Sequence, residues 1–125
     1  KTTEATETVT TPQPALPDGI TPEILAQWKQ AFGDNIYMVE IAGDTYVYRG
    51  LMRAEFKQVA KQANMITNQV DSNIYVEEQN AVIGSIHPKI TLESLNTLKA
   101  GIATVLSTFI MEASGFDDSA IPIKL

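Results

Sequence analysis

Residues Asn35–Arg49, NIYMVEIAGDTYVYR, carry a period of two: Tyr37, Val39 and Ile41 fall on one face, and Tyr46 and Tyr48 recur beyond the turn Ala42-Gly43-Asp44. Two such runs about a short glycine-containing turn predict a β-hairpin. Its β-branched and aromatic side chains suit a pleated surface. A lone hairpin is barely stable in water, so this one has to pack on helices or join a larger sheet.

The flanking sequence supplies the helices. Upstream, Thr21-Pro22-Glu23 is a helix start: a capping hydroxyl, a proline suited to the first turn, and a carboxylate at the positive end of the dipole. Ile24, Leu25, Trp28 and Phe32 follow at helical spacing, and Gly33 ends the run; Trp28 is placed in the core. Before it, Lys1–Asp18 is dominated by Thr, Glu and Pro and reads as a flexible arm attached to a single domain over 19–125.

Downstream of the hairpin, Phe56, Val59, Ala60 and Ala63 form a stripe opposite Lys57, Lys61 and Gln62, predicting a helix from Met52 to about Asn64. Met65–Val70 is ambiguous. Asp71 or Ser72 offers a cap for a third helix carrying Ile74, Val82, Ile83 and Ile86 up to His87-Pro88. Thr91 caps the last and longest helix, with Leu95, Leu98, Ile102, Val105, Leu106, Phe109 and Ile110. Ser114-Gly115-Phe116 stops it, Gly115 taking the left-handed conformation and Phe116 folding back. Asp117–Leu125 as a whole carries no periodicity; its Ile121, Ile123 and Leu125 either dock or hang free. The expected fold is α+β and predominantly helical, a β-hairpin at about 35–49 packed on a bundle of about four helices.

Composition narrows the function. A chain of 125 residues is long enough to bury one modest core, and with no cysteine it has neither a disulfide framework nor a thiolate metal site. The cytoplasm is the simplest home. A net charge of -6 opposes phosphate backbones, so nucleic acid is not an expected partner. The apolar run Ala100–Met111 is interrupted by Gly101, Thr104, Ser107 and Thr108 and falls short of the ~20 residues of a membrane span, so no membrane partner is expected either. No basic region followed by an apolar run opens the sequence, so no secretory signal is read in it.

Catalytic and metal-binding constellations are hard to build. His87 is the only histidine, precedes a proline and has no acidic neighbour, so a Ser-His-Asp relay has no evident frame. Glu77-Glu78 and Asp117-Asp118 are adjacent pairs, and adjacent residues on a helix point about 100° apart, which suits a solvated face better than convergent chemistry. Asp71-Ser72-Asn73 does not continue as a calcium loop, and the scattered glycines form no phosphate cradle. No cofactor, metal site or catalytic residue is assigned. The densest positive region is Arg49, Arg53 and Lys57, for which pairing within the chain, with Glu55 or neighbouring carboxylates, is the simplest account.

The ordered features also resemble a known family. Tyr46-Val47-Tyr48-Arg49-Gly50-Leu51-Met52-Arg53-Ala54-Glu55-Phe56 resembles the Tyr-x-x-Arg-x-Leu-x-Arg-x-Glu-Tyr/Phe stretch of small tail assembly chaperone proteins of contractile-tailed bacteriophages. Val76-Glu77-Glu78 through Val82-Ile83 to Pro88 is similar to their acidic, apolar, then proline segment, and Ala100-Gly101 through Ser114-Gly115-Phe116 to their closing helix. The resemblance covers roughly Trp28 to Phe116 by order of elements. Met52 departs from it, standing where the family has a capping Ser or Thr, and His87 replaces the expected aromatic.

The resemblance implies a non-enzymatic role in the host cytoplasm, keeping a tape-measure, tail-tube or baseplate protein soluble during tail assembly. The alternative is a structural virion component, a capsid, neck or baseplate subunit. Self-association is left open. As partner contacts the expected residues are Tyr46, Tyr48, Arg49, Arg53 and Phe56, because a strand edge can be extended and Tyr and Arg are favoured at interfaces; filling the domain's own core is the competing role.

Overall fold

The computed structural model describes residues 16–116 and 120–125. Most of the expected arm, through Ala15, and the Asp117-Asp118 pair lie outside them. The described residues form the α+β, mainly helical fold expected, with five helices and a three-stranded antiparallel sheet.

Helix α1 (Pro22–Phe32) starts where Thr21 Oγ1 accepts from the Ile24 amide at 3.2 Å and ends at Gly33, whose φ is 83°. Strands β1 (Ile36–Ile41) and β2 (Asp44–Arg49) pair with Ile41 opposite Asp44 and Tyr37 opposite Tyr48. Ala42 and Gly43 make the two-residue loop at φ 54° and 88°, the positive values that let a tight hairpin follow the strand twist. Helix α2 (Arg53–Ala63) leads to α3 (Gln69–Gly84), strand β3 (Ser85–His87), the short α4 (Leu92–Leu95) and α5 (Gly101–Ala113). The strand order is β1-β2-β3, so β2 is central.

The structure corrects four expectations. The third helix ends at Gly84 instead of reaching His87, and Ser85–His87 pairs with β2. Pro88 disfavours helical geometry at His87, and the outer edge of β2 offers backbone partners that a helix there would leave unused. Val47 pairs with His87 and Tyr48 with Ser85, so Ile86 is the extra residue of a β-bulge. Second, α3 is capped by Asn68, whose side chain accepts from the Asp71 amide at 3.0 Å, and not by Asp71 or Ser72.

Third, the last helix is broken, and the longest is α3. Thr91 and Ser94 cap α4 reciprocally, and Thr97 Oγ1 donates to the Ser94 carbonyl at 2.8 Å, so side chains satisfy backbone groups there before Gly101 begins α5. Fourth, Trp28 is not in the core. It is half-buried and faces the His87 ring at 6.1 Å, because α1 covers the outer face of the sheet with no further layer over it among the described residues, and none of its residues is fully buried.

The core lies on the other sheet face, where Tyr46 and Tyr48 meet Leu51, Ala81, Ile90, Leu95, Ile102, Leu106 and Ile110. Val47 points the opposite way and is covered by Ile20 and α1. Leu16 and Pro17 are half-buried there, and the Pro17 carbonyl accepts from the Ile20 amide, so the packed part of the chain is already under way at Leu16. The end of α5 is tied to the hairpin: Asn35 Nδ2 donates to the Ala113 carbonyl at 2.6 Å, and the Leu51 amide to Ser114 Oγ at 2.7 Å. Gly115, at φ 94°, closes the helix, with the Phe116 amide reaching the Met111 carbonyl, and the Phe116 ring packs on Phe56 at 4.9 Å.

Helices α3 and α5 are in tight contact at Gly84, where an added Cβ would meet three side-chain atoms of Ile110 at 2.7 to 2.9 Å. Ile110 is fully buried and has nowhere to retreat. Gly84→Ala is therefore predicted to lose about 1–3 kcal/mol by overpacking, more than the ~1 kcal/mol gained from helix propensity. Urea denaturation checks this, and an unchanged or raised midpoint would contradict the packing described.

Candidate functional site

An ion pair holds the hairpin exit. Arg49 Nη1 and Nη2 donate to Glu55 Oε1 and Oε2, both at 2.8 Å, and Nη1 also donates to the Gly50 carbonyl. The guanidinium lies over the Phe32 ring at 4.9 Å, so one side chain links β2, α1 and α2. Glu55 Oε1 also accepts from the Met52 amide at 2.9 Å, which is the reciprocal half of a capping box; the Met52 thioether gives no cap bond of its own.

The Arg49 hydrogen bonds hold the Glu55 carboxyl below the usual glutamate range; partial burial pushes the other way, and the Met52 amide and the Arg49 charge add to the lowering. With its folded-state pKa depressed, Glu55 stabilises the fold above the unfolded value of about 4.3, and this contribution is lost as pH falls through the lower folded-state value. Glu55→Gln is predicted to cost about 1 kcal/mol at neutral pH, since the pair is partly screened by solvent. Denaturation at about pH 7 and again well below pH 4 should show the gap closing in acid; a gap that persists would contradict a charge-based role.

The expected contact residues separate into three environments. Tyr46 and Tyr48 are buried in the core, Tyr48 stacked with Tyr37 at 5.7 Å and near Phe109 at 6.2 Å. Burial raises both phenol pKa values, with Asp44 adding to it for Tyr46 and Glu112 and then Tyr37 for Tyr48. Arg49 is engaged as described. Arg53 is exposed, with its guanidinium over the Phe56 ring at 5.2 Å, and Phe56 is half-buried between Arg53 and Phe116. Arg53 and Phe56 thus form a small surface face that the other three support from within.

Phe56 also begins a feature that the sequence reading missed. Between α2 and α3 lies an open groove of about 390 Å³, walled by Phe56, Val59, Ala60, Ala63, Ile66 and Val76 and reaching Asn80. Ser72 Oγ donates to the Ala63 carbonyl at 3.0 Å and fixes the two helices at one end. Met65, Val70 and Ile74, on the connection and first turns of α3, are exposed. Asn80 is buried: its Nδ2 donates to Ser107 Oγ at 3.0 Å, and its carbonyl oxygen has no partner among the described residues. The available signal was the pair Ala60 and Ala63, small residues in an otherwise bulky stripe, which leave the space the groove occupies.

Among the described residues the chemistry-bearing side chains do not converge. His87 is exposed against Trp28, while Glu77 accepts from Thr104 at 2.9 Å. Among the described residues no group of three or more His, Cys, Asp or Glu side chains is placed to hold a metal ion, and no helix is long and apolar enough to cross a membrane. Comparison with protein-family models, with curated proteins and with solved structures finds no match to this chain.

Proposed function

We propose that this chain works by binding another protein and not by catalysis, as a tail assembly chaperone of a contractile-tailed phage acting in the host cytoplasm. Its contact surface is the α2–α3 groove together with the adjoining Arg53 and Phe56. The groove carries the proposal: a concave, mainly apolar channel between two helices, flanked by exposed Met65, Val70 and Ile74, accepts the apolar stripe of a partner helix. Each large aliphatic side chain seated there contributes about 1.5–3 kcal/mol, so two or three anchors suffice for a complex that assembly can later dissociate. A tape-measure or baseplate segment awaiting polymerisation presents such a stripe, and the net charge of -6 keeps the loaded complexes apart. The phage context rests on the resemblance between Trp28 and Phe116.

A subunit that remains in the virion is the second reading, favoured by the outer edge of β1, which has no partner strand among the described residues. Copy number in purified particles separates the two, stoichiometric abundance excluding a transient chaperone.

Ala60 lines the groove, is exposed and lies within α2, so Ala60→Glu places a carboxylate in the channel without touching the core. Co-expression with the tape-measure and baseplate proteins of the same genome should give co-elution on size exclusion. Ala60→Glu should keep the thermal midpoint and weaken the complex about tenfold or more, because a charge would be buried unpaired. A wild-type chain that always migrates alone, or a complex indifferent to Ala60→Glu, contradicts the proposal.

A further inference from the structure

Strand β1 has β2 on one side and, among the described residues, nothing on the other. Because the loop is only Ala42 and Gly43, Ile41 and Asp44 form the closing hydrogen-bonded pair. Alternation then turns the backbone groups of Tyr37, Val39 and Ile41 towards β2 and those of Ile36, Met38 and Glu40 outward. Tyr37 is 47% exposed, and beside it an open groove of about 320 Å³ lies between Tyr37, Tyr48, Phe109, Glu112 and Ala113. Glu40 is the only charged side chain of β1, and among the described residues nothing else guards this edge against a further strand.

The same chain holds a segment that fits this edge. In Ala120–Leu125, Ile121 and Ile123 are each 85% exposed and Leu125 is fully exposed, three large apolar side chains at alternate positions that no described residue covers. The segment stands free of its own β1, although the end of α5 is hydrogen-bonded to Asn35 at the start of that strand.

We propose that Ile121–Leu125 of one copy adds to β1 of a second copy as a parallel fourth strand, with Ile121 opposite Tyr37, Ile123 opposite Val39 and Leu125 opposite Ile41. Three features agree on this register. The apolar side chains all fall on the face of Tyr37, where the groove receives Ile121. Ile121, Ile123 and Leu125 turn their backbone groups to the outward ones of Ile36, Met38 and Glu40, while Pro122, which has no N–H to give, faces away. Lys124 lies opposite Glu40; an antiparallel strand centred on the same pair would put Pro122 there and Lys124 against Met38. Reciprocal exchange between two copies closes a dimer. This inference is separate from the groove proposal, and Ala60→Glu should leave it untouched.

Sedimentation equilibrium of the full chain from low-micromolar to sub-millimolar concentration should show a monomer–dimer equilibrium that Ile123→Asp abolishes. Glu40→Lys and Lys124→Glu should each weaken the dimer by up to about fivefold, and the double variant should restore it. A monomer at every concentration overturns the proposal, as does a dimer that survives Ile123→Asp. A double variant no stronger than either single one overturns the parallel register. A monomer whose Met38 and Glu40 amides are protected from exchange in the wild type but not in Ile123→Asp also overturns it, assigning the segment to its own β1.

Discussion

Tyr46, Val47 and Tyr48 are buried in succession, which requires a strand covered on both faces, and β2 is hydrogen-bonded on both edges as well. Much of the remaining architecture serves that requirement. One face of β2 receives α5 and the core cluster, and the other receives Ile20 and α1. One edge is closed by β1 and the other by the three residues of β3, which α3 can deliver because Gly84 lets it approach α5 without a side chain in between. The bulge at Ile86 lets both Ser85 and His87 pair across this short strand. The bonds from Asn35 and Leu51 to the end of α5 then fix the helix beside the sheet it covers.

Legibility from sequence followed the range of the interaction. The hairpin, the Thr21 cap, the stop at Gly33 and the left-handed Gly115 are decided within a few residues, and the structure has each of them. The Arg49–Glu55 pair spans six residues and was readable for the same reason. Strand β3 was not, since three residues at the end of a helical pattern carry no period and become a strand only through β2. The break after Leu95 was hidden because the apolar pattern runs on through Leu98 and Ile102, while the side-chain hydrogen bonds that interrupt it involve ordinary Thr and Ser.

The candidate site divides in the same way. Tyrosine and arginine are common both at interfaces and in half-polar interiors, so residue type could not decide whether Tyr46 and Tyr48 face a partner or their own core. Their position on a central strand decides for the interior. The stripe Phe56, Val59, Ala60 and Ala63 was visible on α2, but a groove needs a second wall, supplied by Val76 and Asn80 from a helix whose start lay in an ambiguous stretch. With the aromatic face of the hairpin internal, the apolar surface exposed among the described residues includes the α2–α3 groove, the outer side of β1 and the segment Ala120–Leu125. These surfaces on a small acidic chain are what the proposed binding role draws on.

Native-state hydrogen exchange across the sheet tests most directly whether β2 is the internal element on which the fold depends. The amides of Tyr46, Val47 and Tyr48 should exchange only through global unfolding, their opening free energies following the denaturant dependence of the whole chain. Exchange of these amides by local fraying, as fast as at the Ala42-Gly43 loop, would contradict that placement and return Tyr46 and Tyr48 to the surface.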